Sequence, residues 1–328
     1  MVRVAINGFG RIGRLILRAG FGKIDIVAVN DLGDLKTMAY LLKYDSIHGR
    51  FPYEVKVEDD GLLVGGKKIL FFQEKEPEKL PWKSLNIDVA VESTGRFTSK
   101  ELASKHLQAG ARKVLISAPY TGKDFVQTIV KGVNDDKAQG QLILSNASCT
   151  TNSLAPVVKV LLDKFGIEKG FMTTVHSYTN DQMILDLPHK DLRRGRAAAL
   201  NAVPTSTGAA SAMKEIFPEL GNSLDGISIR VPTADGSITD LVCILKRETS
   251  VEEVNRAMKD AADSYLKGVL EYSEEALVTA DIVGNPASSI FDSQLTKVNG
   301  KLIKICAWYD NEWGFSNRMV ETIDLMGR

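Results

Sequence analysis

Apolar and polar positions follow two different patterns along the chain. In the first half, short apolar runs alternate with amphipathic segments. VRVAIN (2–7), IDIVAVN (24–30), DVAVEST (88–94), KVLISAP (113–119) and LILSNA (142–147) are of strand length and read as strands buried on both faces. RIGRLILRAGF and SKELASKHLQAG carry helical spacing between them. Strands alternating with helices predict a parallel sheet covered on both sides. YEVKVEDDGLLVGGKKILFF (53–72) predicts a strand–turn–strand insertion, turning at Asp60-Gly61.

The second half opens on a helical stripe from about Thr150 to Phe165, with Leu154, Val157, Val158, Leu161, Leu162 and Phe165 on one face. Four β-branched runs follow: FMTTVHSYT, DGISIRVPT, SITDLVCILKR and KLIKICAWYD. Helical patterns interrupt them only at 251–268 and after Pro204. That predicts an α+β domain with a mostly antiparallel sheet. The boundary falls near residue 148. At the end, Met319, Val320, Ile323 and Met326 are spaced as a helix that must dock somewhere.

Composition narrows the class. The 328 residues are 44% apolar and 25% charged, with formal net charge zero. Neither nucleic acid nor a membrane is expected as the main partner. No apolar run approaches the roughly 18 residues of a membrane span. The start, MVRVAINGFGRIGR, does not read as a signal peptide. Three cysteines, at 149, 243 and 306, argue against a disulfide framework and for a reducing, cytoplasmic setting.

Two motifs carry chemistry. NGFGRIG supplies Gly8, Gly10 and Gly13 as G-x-G-x-x-G between a strand and a helix. The glycines permit a tight turn and close approach of a pyrophosphate to the helix's free N–H groups. The second strand ends in Asn30-Asp31; an acidic side chain there accepts hydrogen bonds from a ribose and repels a 2′-phosphate, which favours NAD over NADP. The second motif is SNASCTTNS, with Cys149 at a strand-to-helix junction among small polar residues. A helix N-terminus is expected to depress the thiol's pKa. Cys243 and Cys306 sit in apolar strands and read as core.

A thiolate nucleophile needs a base, and only four histidines are present. His48, His106 and His189 lie in a loop, a helix and a charged segment. His176 ends the strand TTVHSYT and is the candidate base, although a strand histidine alone is more often structural. Arg194 lies in DLRRGR beside Arg193 and Arg196, and Arg230 lies on a separate strand. With Ser148, Thr179, Thr205, Ser206, Thr207 and Gly208 they suit two anion sites. No metal is expected.

INGFGRIGR, NDL, LLKYDSIHG, ESTG, SNASCTTNSLAP, TTVHSYTNDQ, DLPHKDLRR, PTSTGAA, RVPT and WYDNEWG together resemble phosphorylating glyceraldehyde-3-phosphate dehydrogenase nearly end to end. The resemblance implies an α/β NAD-binding Rossmann domain over 1–148, a catalytic α+β domain over 149–312, and a C-terminal helix, 313–328, returning to the NAD-binding domain. It implies Cys149 as nucleophile and His176 as its base. Gly8, Gly10, Arg11, Ile12, Gly13, Asp31, Ser117 and Asn311 would hold NAD. Thr179 and Arg230 would take the substrate's phosphate; Ser148, Arg194, Thr207 and Gly208 would take inorganic phosphate, with Thr150 beside them. The family forms homotetramers, with Leu187 and Pro188 bordering a neighbour's adenosine. Ser153 stands where many members have a second cysteine, Phe315 where tyrosine is frequent, and Lys75 where arginine is common. The implied reaction oxidises D-glyceraldehyde 3-phosphate to 1,3-bisphosphoglycerate through a cysteine thioester. The rival reading is erythrose-4-phosphate dehydrogenase, which hydrolyses that thioester.

Overall fold

The structure, a computed structural model, describes residues 1–327. The chain divides into two compact units. One holds Met1–Ile129, Asn134–Ala147 and the chain from Ser316 on; the other holds Val130–Val133 and Ser148–Phe315.

The first unit is built on a nine-stranded sheet. Its order is Gln127–Thr128, Ile143–Ser145, Lys113–Ile116, Val89–Glu92, Arg3–Asn7, Asp25–Asn30, Lys67–Phe72, Gly61–Val64 and Val55–Glu58. Pairings are parallel from the first of these through Lys67–Phe72. The central strands are apolar and buried on both faces, as their continuous runs require. Helices Arg11–Gly20, Leu35–Lys43 and Lys100–Gln108 connect them. Arg3–Asn7 has Val89–Glu92 on one side and Asp25–Asn30 on the other. Strand order therefore reverses there, and open α/β sheets bind ligands at that point.

The insertion at 53–72 differs from expectation: it holds three strands, not two. The first turn is Asp59-Asp60, because Glu58 pairs with Gly61. The second is Gly65-Gly66, with φ of 53° and 84°, a pair of positive angles suited to a two-residue hairpin. Gly61 is a strand residue, with no room for a side chain: a Cβ would stand 2.1 Å from the Ile69 carbonyl oxygen.

The second unit carries a seven-stranded sheet in the order Val203–Ser206, Leu224–Val231, Ile167–Ser177, Ser237–Leu245, Leu302–Tyr309, Ser289–Asn299 and Leu270–Ser273. Four of its six pairings are antiparallel; Ile167–Ser177 with Leu224–Val231, and Leu270–Ser273 with Ser289–Asn299, are parallel. Helices Cys149–Phe165, Ala209–Ile216 and Val251–Asp263 pack on this sheet. Leu154, Val158 and Leu161 of the first, Met213 of the second and Met258 of the third join Leu241 and Ile305 in one apolar core. The α/β Rossmann and α+β classes read from the sequence are the observed ones.

Candidate active site

The glycine turn is shaped by its contacts. Gly8 sits at φ +93°, and a Cβ there would lie 2.6 Å from the Ser93 and Thr94 backbone. At Gly13 a Cβ would stand 2.1 Å from the Gly8 carbonyl oxygen, so the helix and the turn touch directly. Gly10 caps helix Arg11–Gly20 with no side-chain hydrogen bond. A Cβ on Gly10 would meet no protein atom within 4 Å. The turn thus leaves open space above a helix N-terminus, the end of a helix that attracts anions.

This turn borders a cleft of about 570 Å³, whose lining includes Asn7, Gly8, Gly10, Asp31, Thr94 and Phe97. Asp31 accepts from Phe9 N at 2.7 Å and from Gly33 N at 2.8 Å. Its carboxylate braces the turn it would share with a ribose. Lys75 also lines the cleft. Ser117 follows strand Lys113–Ile116, its N–H donating to the Glu92 carbonyl at 2.9 Å, and is outside the cleft lining. The Arg11 guanidinium turns to Asp45, at 3.2 Å. The glycine cradle, the open space at the helix N-terminus and the acidic residue fit a dinucleotide.

The second unit builds a different site. Ala147 turns the chain at φ +57°, rare for a residue with a Cβ. Ser148 then caps helix Cys149–Phe165, its hydroxyl accepting from Thr151 N at 3.1 Å. Cys149 is the first helical residue, and its Sγ lies 3.5 Å from His176 Nε2. Along Ile167–Ser177, Met172, Thr174 and His176 are each 3% exposed or less. The strand's alternation aims the imidazole at the start of the cysteine helix.

His176 Nδ1 is 2.7 Å from the Ser177 carbonyl oxygen and 2.6 Å from Arg230 Nη1. Arg230 stands opposite His176 in the strand register and also donates to Ser177 O at 3.1 Å. Nδ1 thus faces an acceptor and a donor at once: a proton there satisfies the Ser177 carbonyl and leaves the Nε2 lone pair facing sulfur, the tautomer a base requires, while the Arg230 donor opposes it. Burial, then the Arg230 charge, lower the His176 pKa to about 3. The ring is therefore neutral in this structure and able to accept a proton.

The thiol departs from the sequence expectation. Burial raises the Cys149 pKa, outweighing the opposing influence of Arg230 and of hydrogen bonding from Thr150. Desolvation of a charge beats the N-terminal dipole here. The pair is a neutral thiol and a neutral imidazole, and reactivity depends on moving the proton between them.

Tyr309 was missed at the level of sequence. It is 1% exposed. Its hydroxyl bridges Thr150 Oγ1 at 2.9 Å and Thr174 Oγ1 at 2.8 Å, and its ring meets His176 edge-on at 5.9 Å. It ties the first turn of the cysteine helix to the histidine strand. A tyrosine in an apolar strand reads as core, and only strand pairing reveals this bridge. Asn311 accepts from Ser177 and Ser237 hydroxyls at 2.9 and 2.8 Å. Its amide nitrogen makes no hydrogen bond among the described residues.

The predicted anion ligands divide. Arg230 joins the Cys149–His176 pair directly. Arg194 is held by Asp181 at 2.5 Å and Thr205 at 2.8 Å. Burial lowers the Arg230 pKa, and the Arg194 charge adds a smaller push in the same direction, so the clusters are neighbours. Thr179 packs against Gln182, whose N–H donates to the Thr179 carbonyl at 2.9 Å. Thr207 accepts from Ala209 N at 3.2 Å, and Gly208 caps helix Ala209–Ile216. Neither has a direct hydrogen bond to Cys149 or His176 among the described residues.

A dinucleotide-type cleft on a Rossmann sheet, with a cysteine–histidine pair on a mixed sheet, defines an NAD-dependent oxidoreductase. The family model for "Glyceraldehyde 3-phosphate dehydrogenase, NAD binding domain" matches residues 2–100, and that for the C-terminal domain matches residues 148–311. Glyceraldehyde-3-phosphate dehydrogenase of Geobacillus stearothermophilus is 56% identical over 98% of this chain and 96% of its own. The Thermotoga maritima and Mycobacterium avium enzymes of that name are each 56% identical, over 99% and 100% of this chain and 99% of theirs. The chain belongs to the glyceraldehyde-3-phosphate dehydrogenase family, and NAD is its cofactor. No described helix is long and apolar enough to cross a membrane.

Proposed function

We propose that this chain oxidises D-glyceraldehyde 3-phosphate to 1,3-bisphosphoglycerate, with Cys149 as nucleophile and His176 as general base. The observation that carries the assignment of roles is the 3.5 Å approach of Cys149 Sγ to His176 Nε2. The Cys149 proton passes to His176 as sulfur attacks the aldehyde carbon. The imidazolium then donates to the forming oxyanion. Loss of hydride leaves a thioester on Cys149, and inorganic phosphate displaces the sulfur. Gly8, Gly10, Arg11, Ile12, Gly13, Asp31, Ser117 and Asn311 would hold NAD, which would supply the hydride acceptor when bound. Arg230 and Thr179 hold the substrate's phosphate. Ser148, Arg194, Thr207 and Gly208, with Thr150 beside them, receive the attacking phosphate. Arg194 must loosen its hold on Asp181 to do so.

The domains are 1–148, 149–312 and a C-terminal helix at 313–328, the chain assembles as a homotetramer, and its setting is the cytoplasm. Family membership and a thiol free of disulfide support these readings. The test is NADH production from glyceraldehyde 3-phosphate with and without inorganic phosphate. Strong dependence on phosphate is expected. Faster, phosphate-independent NADH formation from erythrose 4-phosphate would overturn the reading in favour of a hydrolytic dehydrogenase.

A further inference from the structure

Beneath the cleft lies a buried chain of polar side chains that the reaction described above does not use. Glu92, at the end of strand Val89–Glu92, is 1% exposed, and His106, on helix Lys100–Gln108, is fully buried. Glu92 Oε2 faces His106 Nε2 at 3.1 Å and accepts from Asn7 Nδ2 at 2.7 Å. Glu92 Oε1 accepts from Thr94 N at 2.8 Å and from the Thr94 hydroxyl. Asn7 Oδ1 in turn accepts from Asn30 Nδ2 at 2.7 Å, and Asn30 exchanges hydrogen bonds with the Glu74 backbone at 2.8 and 2.9 Å.

Donor and acceptor logic orients the chain. The fully buried Trp82 donates its indole N–H to His106 Nδ1 at 3.1 Å. Nδ1 must therefore carry the lone pair, which places the ring's proton on Nε2, pointing at Glu92. The 3.4 Å approach of Asn7 Nδ2 to that same nitrogen sets donor against donor, both drawn to one carboxylate oxygen. Every contact made to Glu92 is a donor, so it acts as an acceptor throughout.

The far ends of this chain are the cleft itself. Asn7, Asn30, Glu74 and Thr94 all line it, whereas Glu92, His106 and Trp82 do not. Thr94 passes the order onward, its hydroxyl accepting from Arg96 N at 3.0 Å. One carboxylate thus fixes the loop after Glu92 with one oxygen and the Asn7–Asn30 floor with the other.

We propose that Glu92, locked by His106 and Trp82, is a positioning residue that preorganises the floor and one wall of the NAD cleft. This inference rests on the assignment of that cleft to NAD. A flexible floor would cost ordering free energy on each binding event, and a fixed one removes it. The effect belongs to cofactor affinity, not to the chemistry at Cys149.

The test compares Glu92→Gln, His106→Leu and His106→Gln by NAD dissociation constant, kcat at saturating NAD, and KM for glyceraldehyde 3-phosphate. Glu92→Gln turns an acceptor into an NH₂ group facing two donors. It should weaken NAD about tenfold or more, the cost of about one charge-assisted hydrogen bond. His106→Leu, which removes the donor to Glu92, should weaken NAD roughly three- to tenfold. His106→Gln keeps a donor near Nε2 and should stay within about twofold of wild type. All three should keep kcat and substrate KM near wild type. Should Glu92→Gln not fold, the two His106 variants decide alone. NAD affinity unchanged in His106→Leu, equal losses in Leu and Gln, or a fall in kcat parallel to the fall in affinity would overturn the proposal. Asp31→Ala serves as the control: if it leaves NAD affinity unchanged, the assignment of the cleft is at fault. If it weakens NAD while the Glu92 and His106 variants do not, only the positioning role is lost.

Discussion

Replacing His176 by asparagine should move the reactivity of Cys149 to higher pH. The structure sets the size of the effect. An imidazolium and a thiolate at the observed 3.5 Å attract by about 5 kcal/mol at an effective dielectric constant near 20. Taking both charges out of water offsets a large part of that, leaving a net advantage of roughly 2–3 kcal/mol. At 1.36 kcal/mol per pKa unit this is about two units of thiol acidity. Asparagine can donate a hydrogen bond to sulfur but takes no proton, while burial continues to hold the thiol up. The measurement is the second-order rate of iodoacetamide alkylation of the NAD-free protein from pH 5 to 10, with labelling at residue 149 checked by peptide mass. The wild type should alkylate at lower pH than the variant. The variant should react roughly a hundredfold more slowly at pH 7 and recover only in strong alkali. Superimposable profiles would refute the pairing, because the imidazole would then hold no share of the proton.

Gly13→Ala should destabilise the protein by about 2–3 kcal/mol and weaken NAD at least tenfold, since its Cβ would stand 2.1 Å from the Gly8 carbonyl oxygen; isothermal titration and denaturant unfolding read the two effects, and wild-type values in both would contradict the geometry. Tyr309→Phe removes the hydroxyl that joins Thr150 to Thr174. The loss of about 1–2 kcal/mol should lower Tm by roughly 3–6 °C, with slower Cys149 alkylation, and an unchanged Tm would count against the bridge. For Asp45, burial pushes the carboxyl up, but N–H donors from His48 and Ile47 and the Arg11 side chain more than offset it, leaving a pKa of about 2. A carboxyl depressed in the folded state adds stability above its unfolded pKa and loses it as pH falls through the folded value. Asp45→Asn should therefore cost about 1–2 kcal/mol at pH 7, less as pH falls toward about 2, and nothing below that. A difference independent of pH would rule out the charge as its cause.

What could be read from the chain depended on how local each feature's cause is. Gly13 announces the turn because its constraint, the Gly8 carbonyl, lies five residues away, whereas the Ser93 and Thr94 backbone that crowds Gly8 is invisible locally. Cys149 announces itself because a small polar segment between an apolar strand and an apolar helical stripe has few structural uses. His176 was legible through the alternation of its strand. The third strand of the 53–72 insertion was not. Asp60-Gly61 and Gly65-Gly66 are both turn dipeptides, and seeing that a turn falls at each end of Gly61–Val64 needs the registers on both sides of it. Strand Ser289–Asn299 was overlooked because Ser289 and Asp292 are polar yet buried, which hides its apolar face. Tyr309 and Glu92 find their partners 135 and 85 positions away, and no window along the sequence holds both ends.

The expected acidic thiol and the raised one of the structure are reconciled by treating sulfur and imidazole as one titrating unit. Arg230 lowers the pKa of both Cys149 and His176: it favours the thiolate and disfavors the imidazolium. Its two influences on proton transfer between them therefore oppose each other. Burial also opposes, since it penalises each charge separately. What remains to favour transfer is the mutual attraction of the charges once formed, which neither residue possesses alone. An apparent pKa measured for alkylation consequently belongs to the pair. Substituting either partner must alter the whole profile rather than delete one limb of it.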